Sequence, residues 1–184
     1  MQTLRLPEPS SEVVTEPALT LGAVCSVTGW SERTAWRRLS AGSLFRVDGR
    51  GNRVLIAWDS VQLYARLCID DELLSLLCRA DRGDVEAQNE VALHFFEQAL
   101  PCGAVYWLQQ AARSGDADAM HWLGRCHLEG KGLEPDRNLG LMWLARSAAA
   151  GHVISDALLH ALCGRFVHEP FERPAASSTA ELAG

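Results

Sequence analysis

The sequence predicts a mainly α protein: an N-terminal winged helix-turn-helix with a small β-hairpin wing, followed by a short α-solenoid of helix pairs. Three observations lead there. Two short segments around Gly29 carry helix caps and an apolar face, residues 45–58 alternate as a hairpin does, and the C-terminal part repeats at a spacing of 32 to 36 residues. The chain has 184 residues, 48% apolar and 22% charged, enough to bury a core. No apolar run approaches the ~18–20 residues of a membrane-spanning helix. Met1–Thr20 lacks the apolar segment of a signal peptide, so a cytoplasmic location without a membrane partner is expected.

Residues 1–18, with Pro7, Pro9 and Pro17, read as a flexible arm. Thr20 then caps a short helix whose inner face is Leu21, Val24 and Val27, and Gly29 suits its C-terminal turn. Ser31 caps a second helix, Glu32 to Ser40, ended by Gly42. In that helix Ala35 and Leu39 face inward, which leaves Arg33, Thr34, Arg37 and Arg38 largely outside.

Phe45 and Val47 alternate, Asp48-Gly49 and Gly51-Asn52 signal a turn, and Val54 and Ile56 alternate again. This is a hairpin with a basic tip of Arg50 and Arg53. Asp59 is expected to cap a third helix carrying Val61, Leu63, Tyr64 and Leu67. Residues 19–67 therefore make one unit.

Charge is divided unevenly. Residues 1–66 hold 8 arginines against 6 acids, net +2, while residues 67–184 hold 9 basic against 17 acidic side chains, net −8. Such asymmetry fits a basic part that meets an anion such as nucleic acid, or a solvated arginine-rich surface. The stretch Thr20-Leu21, Val24-Cys25, Thr28 to Ser31, Arg33-Thr34, Arg37 to Leu39 and Gly42 to Leu44 resembles the MerR and excisionase-like winged helix-turn-helix families. It departs from them at Cys25 and at the bulky Trp36. The resemblance implies binding of double-stranded DNA through Ser31, Arg33, Thr34, Arg37 and Arg38 on the second helix, with Arg50, Asn52 and Arg53 on the wing. Two copies on one site are expected, hence a homodimer. The alternative is a helical hairpin whose wing serves protein contacts.

The repeat anchors are Arg82-Gly83-Asp84, Ser114-Gly115-Asp116 and Ala150-Gly151-His152. Tyr106-Trp107-Leu108 aligns with Met142-Trp143-Leu144. Periods of this size mean stacked helix pairs. Leu123-Gly124, Leu128 to Leu133, Pro135-Asp136, Trp143 and Ser147 to Gly151 look like one full Sel-one-like repeat, a relative of the tetratricopeptide repeat. Residues 83–115 look like a shortened copy. Helix pairs are expected at about 84–98 with 102–114 and 116–128 with 136–150, and a capping helix near 153–166 completes residues 81–167. Trp107 and Trp143 should both be largely buried. A helix within 68–80, from Ile69 to Ala80, joins the two parts, and residues 168–184 read as a loose tail.

Little in the sequence points to catalysis. Gly130-Lys131-Gly132 lacks the upstream glycine and the following Ser or Thr of a phosphate loop. Asp70, Asp71 and Glu72, like Asp116 and Asp118, suit helix N-termini. The six cysteines form no C-x-x-C and read as reduced core thiols; His121 and His127 sit on different helical faces. No enzyme activity, cofactor or metal is expected. Two functions remain open: a DNA-binding transcriptional regulator that binds a protein partner through its solenoid, or an adaptor in which both parts bind proteins.

Overall fold

The computed structural model describes residues 17–47 and 53–167. The arm up to residue 16, the tail 168–184 and the hairpin tip with Arg50 and Asn52 lie outside the described residues.

The N-terminal unit opens with strand β1 (Ala18–Thr20), helix α1 (Leu21–Thr28) and helix α2 (Glu32–Ser40). Thr20 Oγ1 accepts from Ala23 N and Ser31 Oγ from Thr34 N, the two caps that the sequence predicts. Strands β2 (Arg46–Val47) and β3 (Leu55–Ala57) follow, and β3 lies between the other two in an antiparallel sheet of order β1-β3-β2. Ala18 pairs with Ala57 and Leu19 with Ile56. The expected arm therefore ends as an edge strand, held further by Trp58 N–H donating to the Pro17 carbonyl at 2.9 Å. Leu19, Ile56, Val24 and Val27 are fully buried between the sheet and α1.

The expected third helix is not formed. Residues 58–64 make two single 3-10 turns, Trp58–Ser60 and Gln62–Tyr64, and Asp59 caps neither. Local contacts outweigh helix propensity here. Ser60 Oγ bonds to both Ala57 O and Phe45 N, and Arg66 N–H donates to Val27 O at 2.8 Å, which draws the chain onto α1. Leu63 is left 87% exposed, off the core that the helical reading gives it.

Six helices then stack in sequence: α3 (Asp71–Asp81), α4 (Val85–Glu97), α5 (Pro101–Arg113), α6 (Ala117–Glu129), α7 (Arg137–Ala149) and α8 (Val153–Val167). Each packs on the next, and α3 also packs on β1. One turn recurs three times. Gly83, Gly115 and Gly151 have φ of 102°, 92° and 95°, a region open to glycine at little cost. The N–H groups of Asp84, Asp116 and His152 donate to the carbonyls of Arg79, Ala111 and Ser147 in turn. Asp84 and Asp116 then cap the following helices through Ala87 N and Ala119 N. At the third turn His152 takes that place, its Nδ1 accepting from Ser155 N at 3.1 Å. Asp70 caps α3 in the same manner through Leu73 N.

The core runs without a break from the sheet to α6. Trp107 is 1% exposed within it. Trp143, expected to match it, is only half-buried, with the Arg146 guanidinium 5.0 Å from its ring centre. The reason is position: among the described residues only α8 packs beyond α7, whereas Trp107 has the N-terminal unit and α4 around it. The cysteines also divide. Cys78 and Cys126 are buried as core thiols, but Cys68 and Cys102 are exposed. Burial pushes Cys25 and Cys126 up to about 11.

Candidate functional site

A groove of about 490 Å³ opens between the first helices of the two pairs, α4 and α6. Leu93 and Phe96 come from α4, Trp122 and Arg125 from α6, and Lys131 from the loop after α6. The Phe96 and Trp122 rings lie 5.9 Å apart, tilted by 40°, and the Arg125 guanidinium covers Trp122 at 5.0 Å. Arg125 Nε and Nη2 both donate to Glu129 Oε1, and Lys131 Nζ pairs with Glu129 Oε2 at 2.6 Å. Hydrogen bonds from Lys131 and Arg125 hold the Glu129 carboxyl below the usual range. Glu129 thus pairs with both cations at the rim, Glu97 faces His94 Nδ1 at 3.6 Å, and the floor is apolar.

The glycine-rich loop builds one end of this groove. Gly130 closes α6 in the left-handed conformation, and Lys131 N–H returns to Cys126 O. A Cβ on Gly132 would stand 2.5 Å from the Pro101 carbonyl oxygen, so the loop seats backbone against backbone at the start of α5. Its glycines serve docking of one repeat on another, with Lys131 turned to Glu129.

The residues expected to contact DNA are not brought together as one set. Arg33 and Arg37 are exposed on the outward face of α2, and Ser31 and Thr34 are engaged in the helix cap, their hydroxyls 3.1 Å apart. Arg38 is not outside as expected. Its guanidinium lies 4.3 Å from the Trp30 ring centre and 4.7 Å from that of Tyr64, and those rings are 5.0 Å apart. This stacking turns Arg38 into a clamp between α2 and the second 3-10 turn. Arg53 stands on the other flank, lining a cleft with Trp36 against α3 and α5. The groove residues Leu93, Phe96 and Trp122 escape the sequence reading. A signal exists for Trp122, an aromatic on the same α6 stripe as Asp118, Arg125 and Glu129, which a buried face does not explain.

One buried polar cluster combines the residue types of nucleophilic catalysis. His121 Nδ1 meets Ser155 Oγ at 2.8 Å, Ser155 Oγ–H donates to Ser147 Oγ, and Ser147 Oγ–H donates to Ala117 O. The His152 ring stacks on His121 at 4.5 Å, and its Nε2 faces Asp118 Oδ1 at 3.2 Å. Ser155 is 0% exposed, however, and its contact with His152 belongs to the helix cap. The cluster ties α8 to α6 and α7.

Geometry and turn chemistry define a stack of antiparallel helix pairs of the α-solenoid class. The Sel1 repeat family model matches residues 74–100, 104–116 and 117–152, so residues 74–152 carry Sel1 repeats. Those repeats indicate protein–protein interaction. The match begins inside α3 and spans the groove. No curated protein matches the chain. Among the described residues no helix is long and apolar enough to cross a membrane.

Proposed function

We infer that the protein is an interaction adaptor, its Sel1 repeats gripping an apolar partner segment in the α4–α6 groove. The carrying observation is the Phe96–Trp122 pair with the half-exposed Leu93 beside it, in a concave site whose rim charges are internally paired. Apolar side chains entering there lose water without stranding a charge. The test is co-purification with mass spectrometry on the wild type and on Leu93→Glu. Leu93 is 44% exposed, so the substitution should leave the fold intact. A partner lost from the variant supports the reading; an unchanged set of partners overturns it.

A DNA-binding regulator is the second reading, favoured by the exposed Arg33 and Arg37 on a Ser31-capped helix beside a three-stranded sheet. In that reading α2 enters the major groove and Arg50 and Arg53 meet the backbone, two copies to a site. Arg37→Ala should then cost ~1–3 kcal/mol and relax preference at one base position. Titration against duplex DNA at several salt concentrations decides it. Binding that shows no salt dependence, or none at all, removes this reading.

A further inference from the structure

A second cleft, of about 540 Å³, separates the N-terminal unit from α3–α5 and shares no residue with the α4–α6 groove. It is lined by Trp36 of α2, the bulky residue at which the sequence departs from the winged helix-turn-helix pattern. Its ring is 45% exposed, so it serves no core. Helical spacing sets Arg33 one turn before Trp36, and Arg37 one turn beyond Arg33. The indole and two exposed guanidinium groups therefore share one outward stretch of α2. The single acid of that helix, Glu32, lines a different cleft, with Cys25 and Arg66.

The cations continue across the cleft. Arg53 before β3, Arg82 after α3 and Arg113 at the end of α5 all line it, all exposed, against one acid, Asp81, a balance of +2. Both Asp81 oxygens are occupied by Thr20, Oδ2 accepting from Thr20 N at 2.7 Å and Oδ1 from Thr20 Oγ1 at 2.6 Å. Elsewhere in the helix stack Arg79, Arg125 and Lys131 are spent on Asp84 and Glu129. Arg33, Arg37, Arg53 and Arg113 form no ion pair among the described residues. An open aromatic ring thus sits within a run of open cations supplied by both units.

We propose that this surface binds single-stranded nucleic acid, the strand crossing from α2 over the cleft to the C-terminal end of α5. A base stacks on the Trp36 indole, and the phosphates to its two sides meet Arg33 and Arg37 on α2 and Arg53 and Arg113 at the cleft. Such strands are held by just this pairing, since every base has a π face and every link a negative charge. A duplex keeps its bases stacked inside and offers the ring none of their faces. An acidic peptide satisfies the arginines but leaves the indole in water. A cleft of this volume admits one nucleotide of a passing strand. The surface differs from that of the duplex reading in its need for Trp36 and for Arg113 of the helix stack.

The test is fluorescence anisotropy of the full chain with three labelled probes at several salt concentrations. They are an oligothymidylate of about 15 nucleotides, a duplex of about 15 base pairs and a polyglutamate peptide of about the same length. The oligothymidylate should bind about tenfold or more tightly than either of the others. Trp36→Leu, at an exposed position, should weaken it about tenfold while the helical signal is kept. Arg113→Gln, exposed as well, should lower the salt slope by about 0.7. Duplex bound as tightly as the single strand overturns the inference and leaves the duplex reading standing. Polyglutamate bound as tightly overturns it in favour of an acidic protein partner. It is overturned too if the single strand does not bind, or if either variant behaves as the wild type does.

Discussion

Trp107 and Trp143 occupy equivalent places in successive helix pairs, yet the structure assigns them different energies. Trp107 is 1% exposed and packed within the continuous core. Truncation to alanine leaves a cavity there, at a cost of about 3–5 kcal/mol. In a chain of this length each kcal/mol moves the melting midpoint by about 2–4 °C, so a fall of roughly 6–20 °C is expected. Trp143 keeps one face open, so Trp143→Ala should cost about half as much, ~1.5–2.5 kcal/mol. The Trp107 Nε1–H has no acceptor among the described residues, so Trp107→Phe loses ring volume but no described hydrogen bond, roughly 1–2 kcal/mol. Urea denaturation followed by far-UV circular dichroism measures all three. Equal losses for Trp107→Ala and Trp143→Ala would refute the burial argument, and a Trp107→Phe as damaging as the alanine variant would show that the indole N–H is paired.

Three other outcomes are expected. Deleting residues 1–80 removes most of α3, the Ala80 carbonyl that Gln88 Nε2 uses and the Thr20 hydroxyl bound to Asp81; the remaining fragment should melt broadly and lose cooperativity, and a sharp monomeric transition would contradict this. Gly124→Ala sets a Cβ 2.8 Å from Leu144 Cγ and 3.1 Å from the Gly140 carbonyl, so it should cost roughly 1–3 kcal/mol by forcing α6 from α7. Gly164→Ala, with nothing within 4 Å of the added carbon, should be neutral or stabilising by up to ~1 kcal/mol in the same denaturation assay. Burial first, and then the charge of His152, hold His121 below its ordinary value of 6.5. The unfolded chain then takes up its proton before the folded one does, so stability should fall as pH drops below about 6.5. His121→Asn should flatten that dependence between pH 7.5 and 5.5, and an unaltered slope would assign it to other groups.

The helix stack is legible in the sequence because its signals are local and repeated. Each turn needs a glycine at positive φ followed by a capping side chain, and Gly83-Asp84, Gly115-Asp116 and Gly151-His152 satisfy that within two residues. The N-terminal caps, Thr20 and Ser31, are legible on the same ground. Residues 58–64 are not. Their helical pattern is real, but the contacts that defeat it reach back to Val27, Trp30, Arg38 and Phe45, between 15 and 39 residues away in sequence by the bonds and stacks observed.

The same distinction separates the legible part of the candidate sites from the rest. Composition marks α2 as arginine-rich, but it treats Arg33, Arg37 and Arg38 alike. Only the fold shows that Arg38 is spent on two aromatic rings while Arg33 and Arg37 stay in water. The α4–α6 groove needs Phe96 and Trp122 on two helices of different repeats, and the second cleft is lined by Trp36 and Arg53 from one unit and Arg113 from the other. A repeat pattern predicts each helix and its buried stripe. It carries no information about side chains left off that stripe, such as Leu93 and Trp122, which line the α4–α6 groove. The joint that sets the second cleft is itself made of such residues: Thr20 closes on Asp81, and Gly22 leaves room for the Tyr106 ring because a Cβ there would strike its hydroxyl.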